Sequence, residues 1–272
     1  MIKTLVMTGG LGNQMLQYAL LFVLRKRGYK IQIDTSVYDF YQMHNGYELE
    51  RVFGIKEKLI NRKGLHLLWL RLLNKYRPSF LVSSDALHYD PKIIINPKMY
   101  IYGWWFCEKY FSDYTDEIYE LFDFKGIDDR NKDVACEMRS CNSVCLHVRR
   151  GDYASFGIKL IGSDYYKEAI KVIQNNIENP IFYLFSDDTT QAEELLNSLG
   201  LKYITIDHNI GKNSYKDLYL MSNCKHNIIA NSSFSWWGAW LNKNPNKIVV
   251  CPSIWDNNKP EFEPQLKEWI KI

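Results

Sequence analysis

The sequence predicts an α/β protein, with parallel strands and covering helices arranged in two successive units. Three observations carry that prediction. Short apolar runs suited to fully buried strands alternate along the whole chain with segments of 3.6-residue period. Several of these runs stop abruptly on polar or glycine-rich turns. Between Asp123 and Lys132 apolar residues thin out and charge density rises, as in Asp128-Asp129-Arg130-Asn131-Lys132-Asp133. That stretch marks a boundary between a domain of residues 1–132 and one of 133–272.

The first half opens with strand Ile2–Met7, the glycine turn Gly9–Gly12, and an amphipathic helix Asn13–Lys26 closed by Gly28. Strand Lys30–Ile33 comes next and ends on Asp34, so the order is β-α-β, the start of a doubly wound domain. Thr35–Gly54, rich in Tyr, His and Asn, reads as a long surface loop. Lys56–Tyr76 reads as helix, Lys92–Tyr102 as strand pieces, and Glu108–Phe122 as another helix. The second half repeats the rhythm: strand Ser143–Val148, helix Ser163–Ile177, strand Ile181–Phe185, helix Thr190–Leu199, strand Tyr203–Ile206. Helix Tyr215–Met221, strand Asn227–Ala230, a turn and strand Lys247–Cys251 complete it.

A chain of 272 residues can bury one large or two modest cores. The formal charge of +3 gives no support for a nucleic-acid partner. No run of 18 apolar residues occurs, and Met1–Met7 is too short for a signal sequence, so a cytoplasmic protein is expected. The basic, Leu- and Trp-bearing segment Lys56–Arg77 suits either a core-packed helix with a solvated face or peripheral contact with the cytoplasmic face of an inner membrane. The 6 Cys lack any zinc-type spacing and read as reduced thiols. Aromatic residues make up 15% of the chain, a composition shared by carbohydrate sites and by ordinary cores.

Four motifs carry chemistry. The heptad His147-Val148-Arg149-Arg150-Gly151-Asp152-Tyr153 comes directly after the apolar run Val144-Cys145-Leu146. Two guanidinium groups at a strand end match a diphosphate bidentately, and the carboxyl ends of parallel strands are where ligands bind. The loop Gly9-Gly10-Leu11-Gly12-Asn13-Gln14 approximates a dinucleotide fingerprint, with Asp34 near the ribose-acid position, but Met15 stands where the third glycine belongs. It suits either packing alone or a close approach of Gly12 and Asn13 to a ligand at a helix start. Ser186-Asp187-Asp188 ends another buried strand; Asp187 reads as a hydrogen-bond acceptor for a nucleotide and Asp188 as a helix cap. In Asn231-Ser232-Ser233-Phe234 the turn is the candidate ligand contact, whereas Trp236, Trp237 and Trp240 read as core.

In this order the motifs resemble glycosyltransferase family 11, the α-1,2-fucosyltransferases. The carrying residues are Gly9–Ala19, His147–Tyr153, Phe185–Asp188 and Asn231–Leu241, with Gly103–Phe111 in support. The resemblance implies a GT-B architecture, two Rossmann-like domains facing across a cleft. It implies inverting transfer of L-fucose from GDP-β-L-fucose to the 2-hydroxyl of a galactose, in a galactose-terminated oligosaccharide or lipid-linked glycan of O-antigen or capsule type. No metal or other cofactor is expected. Arg149 would take the donor diphosphate; His147, Arg150, Asp187, Ser232, Ser233 and Phe234 would contact nucleotide, and Asn13 would reach the donor from the other domain. One departure is Thr189-Thr190-Gln191, where an aromatic residue is expected. Asp152, next to the arginines, is either the base for the acceptor hydroxyl or a brace for Arg150. A dinucleotide-dependent oxidoreductase and a non-catalytic carbohydrate-binding protein are the competing classes, and neither uses all four motifs.

Overall fold

The computed structural model describes residues 2–40, 44–61, 72, 81–84, 88–151 and 160–272. They form two compact units, Met1–Lys125 and Gly126–Ile272. The first contains β1 (Lys3–Val6), α1 (Leu11–Lys26), β2 (Ile31–Asp34), α2 (Leu49–Phe53), β3 (Leu59–Ile60), β4 (Leu81–Ser84), α3 (Pro91–Ile95), β5 (Tyr100–Gly103) and α4 (Thr115–Leu121). Its sheet has the order β3-β2-β1-β5-β4 with every pairing parallel. The central β1 and the largely apolar α1 behind it supply much of the core, including Leu5, Met15, Leu16, Leu20 and Leu24. Helix α1 ends where Gly28 turns the backbone to φ +88, a conformation that favours glycine.

Four segments of this unit depart from the sequence expectations. The Thr35–Gly54 loop contains a 3-10 turn at Ser36–Asp39 and helix α2, whose Leu49, Val52 and Phe53 are buried. The isoleucines that suggested a strand after Lys92 lie in α3. That helix starts because Asp90 accepts a hydrogen bond from the Lys92 N–H at 2.9 Å and Pro91 fills the first position. Within Glu108–Phe122 only α4 is α-helical, preceded by 3-10 turns at Glu108–Tyr110 and Ser112–Tyr114. In Lys56–Arg77, β3 occupies Leu59–Ile60, and most of the remainder lies outside the described residues.

The second unit contains α5 (Asp129–Ser140), β6 (Ser143–Val148), α6 (Ser163–Asn176), β7 (Ile181–Ser186), α7 (Thr189–Ser198), β8 (Tyr203–Thr205), α8 (Tyr215–Asn223), β9 (His226–Ile228), α9 (Ser233–Trp240), β10 (Val249–Cys251) and β11 (Ile270–Lys271). The charged stretch expected to be the boundary is the beginning of α5, capped by Asp128, which accepts from the Asn131 N–H at 2.9 Å. The chain therefore divides at Lys125–Gly126, slightly before the position expected.

The sheet order is β11-β10-β9-β6-β7-β8, again all parallel. The chain enters at the middle strand β6, steps outward through β7 and β8, then returns to β9 on the other side of β6. That reversal, between the carboxyl ends of β6 and β9, is the crevice where doubly wound sheets bind ligands. Two parallel α/β units are the GT-B plan. Among the described residues no helix is long and apolar enough to cross a membrane.

Candidate active site

All six residues of β6 are buried, so the strand holds the turn at its carboxyl end firmly in place. It pairs with β7 in the register Val148↔Ser186, which brings Arg149 and Asp187 side by side just past the strand ends. Asp187 Oδ2 lies 3.1 Å from Arg149 Nε as an ion pair, and Oδ1 accepts a hydrogen bond from the Arg150 N–H at 2.8 Å. A methyl group on Gly151 would overlap Asp187 Oδ2. The glycine in the motif is thus required by space: the carboxylate occupies the volume a side chain would need.

The two arginines have different surroundings. Arg149 keeps 19% of its side chain exposed beside the crevice. Arg150 is buried and donates from Nη1 to the Ile161 carbonyl at 2.9 Å, tying the residues just before α6 to the strand end. His147 is also buried, with its ring 6.5 Å from that of Phe234 and its carbonyl accepting from the Tyr166 hydroxyl at 3.2 Å. Burial, and then the Arg149 charge, push the imidazole down to about 3 against the opposing pull of Asp187. His147 is therefore neutral at any working pH, and its Nδ1 has no hydrogen-bond partner.

Across the crevice, Asn231 and Ser232 are buried after β9. Asn231 donates to the Trp255 carbonyl at 3.1 Å, and Ser232 caps α9 by accepting from the Phe234 N–H at 3.3 Å. Ser233 and Phe234, half-buried, form the first turn of α9, where backbone N–H groups have no intrahelical partner. Trp236, Trp237 and Trp240 are core, the first two in an edge-to-face pair at 5.1 Å. Asp188 is the cap of α7, accepting from the Gln191 N–H at 3.0 Å.

Gly12 and Asn13 belong to the first unit, in the opening turn of α1 after the N-cap Gly10. Two further residues of this motif, not singled out from the sequence pattern, hold it together. Gln14 Nε2 donates to the carbonyls of Gly9 (3.0 Å) and Gly46 (2.8 Å), while its Oε1 accepts from the Glu48 N–H at 2.9 Å. Gln17 accepts from the Thr8 N–H at 3.0 Å and donates to the Gly103 carbonyl at 3.1 Å. Two glutamines spaced i, i+3 on an otherwise apolar helix were the available signal, since buried amides must be hydrogen-bonded. Asp34 is fully buried, and its Oδ1 accepts from the backbone and side chain of Ser36, so it is built into the strand end. Asp152 lies outside the described residues. Among the described residues no three His, Cys, Asp or Glu side chains gather as a metal-binding group.

A family model described as glycosyl transferase family 11 matches residues 75–272. An alpha-1,2-colitosyltransferase of Escherichia coli is 31% identical over 98% of this chain and 97% of its own. The O-antigen biosynthesis glycosyltransferase WbnK, also of Escherichia coli, is 32% identical over 98% and 99%. Among solved structures, the fucosyltransferase NodZ from Bradyrhizobium superposes with a TM-score of 0.54 at 15% identity, covering 88% of this chain and 92% of that one. NodZ has also been co-crystallized with GDP.

Proposed function

The chain belongs to glycosyl transferase family 11 and is an α-1,2-fucosyltransferase-type enzyme; we propose that it transfers L-fucose from GDP-β-L-fucose, with inversion, to the 2-hydroxyl of a galactose. The acceptor is an oligosaccharide or lipid-linked glycan of the O-antigen or capsule class. Such an acceptor would put the enzyme on the cytoplasmic face of the inner membrane. The observation that carries the reading is Arg149, held by Asp187 at the reversal of a doubly wound sheet. NodZ's co-crystallization with GDP and the Escherichia coli relatives' names support the donor class.

The mechanism is a matter of charge. As GDP departs, negative charge grows on the β-phosphate while the sugar becomes oxocarbenium-like. A guanidinium fixed in advance by a carboxylate meets that charge without reorganising, which is where an enzyme gains most electrostatically. Arg149 takes the diphosphate; Asp187 acts through it, and Arg150 shapes the turn from the interior. The amides and side chains of Asn231, Ser232, Ser233 and Phe234 receive the nucleotide at the positive end of α9. Neutral His147 lines the same crevice. Asp152 is the candidate base for the acceptor hydroxyl.

A second reading differs only in the donor sugar, because one relative is named for colitose, a sugar lacking the 3-hydroxyl of fucose. The test is calorimetric titration with GDP, UDP and NAD in EDTA, then product analysis with GDP-fucose and GDP-colitose on galactosides. Selective GDP binding and an α-1,2-fucosylated product are expected. Preference for UDP or NAD over GDP would overturn the GDP-linked donor, and transfer from GDP-colitose alone would replace the sugar.

A further inference from the structure

The first unit has its own sheet reversal, between β1 and β5, of which the nucleotide reading uses only Gly12 and Asn13. Its floor is Gly9-Gly10, fixed by the Tyr38 hydroxyl donating to the Gly9 carbonyl at 2.8 Å. A methyl group on Gly9 would meet Trp104 Cζ3 and Asn13 Nδ2, each at 2.8 Å. One on Gly10 would meet three atoms of the His44 ring, all at 3.3 Å, so the imidazole lies face-on over that glycine. The Trp104 indole thus packs against Gly9 and the His44 imidazole against Gly10, two adjacent residues that carry no side chains of their own.

The backbone beside this floor is held at Trp105 in a conformation that bulky residues rarely adopt, φ +44; His44, at φ +65, is of a residue type that takes the left-handed region more readily. Trp105 is fully buried, and its Nε1 has no hydrogen-bond partner, whereas the preceding Trp104 is 38% exposed. The buried indole anchors the strained turn, and the turn presents its neighbour to solvent. Strain of this kind collects at ligand sites. Packing of Trp105 does not require a second large aromatic surface beside it to be left open.

We propose that Trp104 and His44 form a pyranose platform that takes the galactose residue of the acceptor. The apolar face of galactopyranose, left clear by its axial 4-hydroxyl, stacks on the Trp104 indole, and ring hydroxyls meet the His44 imidazole. No charged group borders the floor among the residues just named, which fits a neutral sugar better than a nucleotide. The identity of the ligand rests on the fucosyltransferase reading; the platform itself does not.

The experiment is saturation-transfer difference NMR with methyl β-D-galactoside, and methyl β-D-glucoside as control, on the protein with GDP. Acceptor KM and GDP affinity are measured in parallel for Trp104→Ala and Trp104→Phe. Galactose-selective transfer of saturation is expected on the parent. Trp104→Ala should lose it and raise acceptor KM roughly ten-fold or more with GDP affinity within two-fold, and Trp104→Phe should recover most of the loss. A parent that gives no galactoside signal, or a Trp104→Ala variant with parental KM and signal, overturns the platform. Failure to bind GDP would sink the donor reading instead, while the galactoside signals of parent and variant still decide this one.

Discussion

The two units meet the same topological situation with opposite chemistry. Each parallel sheet reverses beside its first strand, at β1/β5 in one and β6/β9 in the other. In the second unit the reversal carries a guanidinium braced by a carboxylate. In the first, Gln17 spans the strand ends from Thr8 to Gly103, and aromatic rings and an amide side chain surround a glycine floor. The fold supplies a crevice twice, and a few residues past the strand ends decide what each can bind. A charged crevice suits a diphosphate, and an aromatic one suits a sugar.

The sharpest way to break this comparison is to remove the charge. Arg149→Ala should lower transfer by roughly 10²–10³-fold, about 3–4 kcal/mol of transition-state stabilisation. Arg149→Lys should be nearly as damaging, because an ammonium cannot bind two phosphate oxygens as a planar fork does. Steady-state rates with GDP-fucose check this, and a lysine variant within a few-fold of the parent would remove Arg149 from the diphosphate. Gly151→Ala tests the same site from the carboxylate side. The added methyl must displace an Asp187 carboxylate that Arg149 and the Arg150 N–H both engage. A loss of GDP affinity of about ten-fold is expected by calorimetry, with the thermal midpoint little changed because Gly151 is exposed. Unchanged affinity would show that Asp187 can move without disturbing Arg149.

These predictions also show what could be read before the fold was known. The two six-residue strands of the second unit, β6 and β7, are largely buried apolar runs, so their positions and the placement of Arg149 at a strand end were legible in the pattern, whereas the two exposed residues of β11 were not. The pairing of Arg149 with Asp187 was not, because it depends on the register of β6 against β7, a relation between distant segments. Arg150 looked equivalent to Arg149 in sequence, yet one residue further along the turn its side chain enters the interior. In the first unit α2 and α3 are five residues each, too short for a periodic signal, although the Asp90-Pro91 cap announced α3. Gln14 and Gln17 stood in the glycine motif without an assigned role, and burial with their hydrogen bonds makes them fasteners.

Gln17→Leu tests that fastening role directly. The substitution leaves the Thr8 N–H and the Gly103 carbonyl without their partner inside the first unit. Each unsatisfied buried group costs about 1–3 kcal/mol, so a loss of about 2–4 kcal/mol is expected in denaturant unfolding. GDP affinity, held mainly by the second unit in our reading, should survive at temperatures where the variant is folded. If Gln17→Leu abolished GDP binding without destabilising the protein, the division of labour between the two reversals would be wrong.

A last effect separates the units by pH. Burial raises the Asp217 carboxyl of α8 to about 7, although Asn209 donates to its Oδ1 at 2.8 Å and pulls the other way. Below its unfolded value both states hold the proton and the contribution to stability is complete. As pH rises through about 7 the folded carboxyl ionises and that contribution is lost. Glu57 of the first unit moves oppositely: burial raises it, but hydrogen bonds from Arg25 and Tyr18 outweigh burial and hold it below the ordinary range. Its contribution is present at neutral pH and fades in acid. Asp217→Asn keeps an oxygen for Asn209 and never ionises. It should match the parent near pH 4 and exceed it at pH 8 by about 1–2 kcal/mol, after discounting for partial exposure. Glu57→Gln should do the reverse, weaker than the parent at pH 8 and converging with it in acid. Thermal melts at the two pH values check both, and parallel rather than crossing differences would mean that the two carboxyls do not titrate as their surroundings dictate.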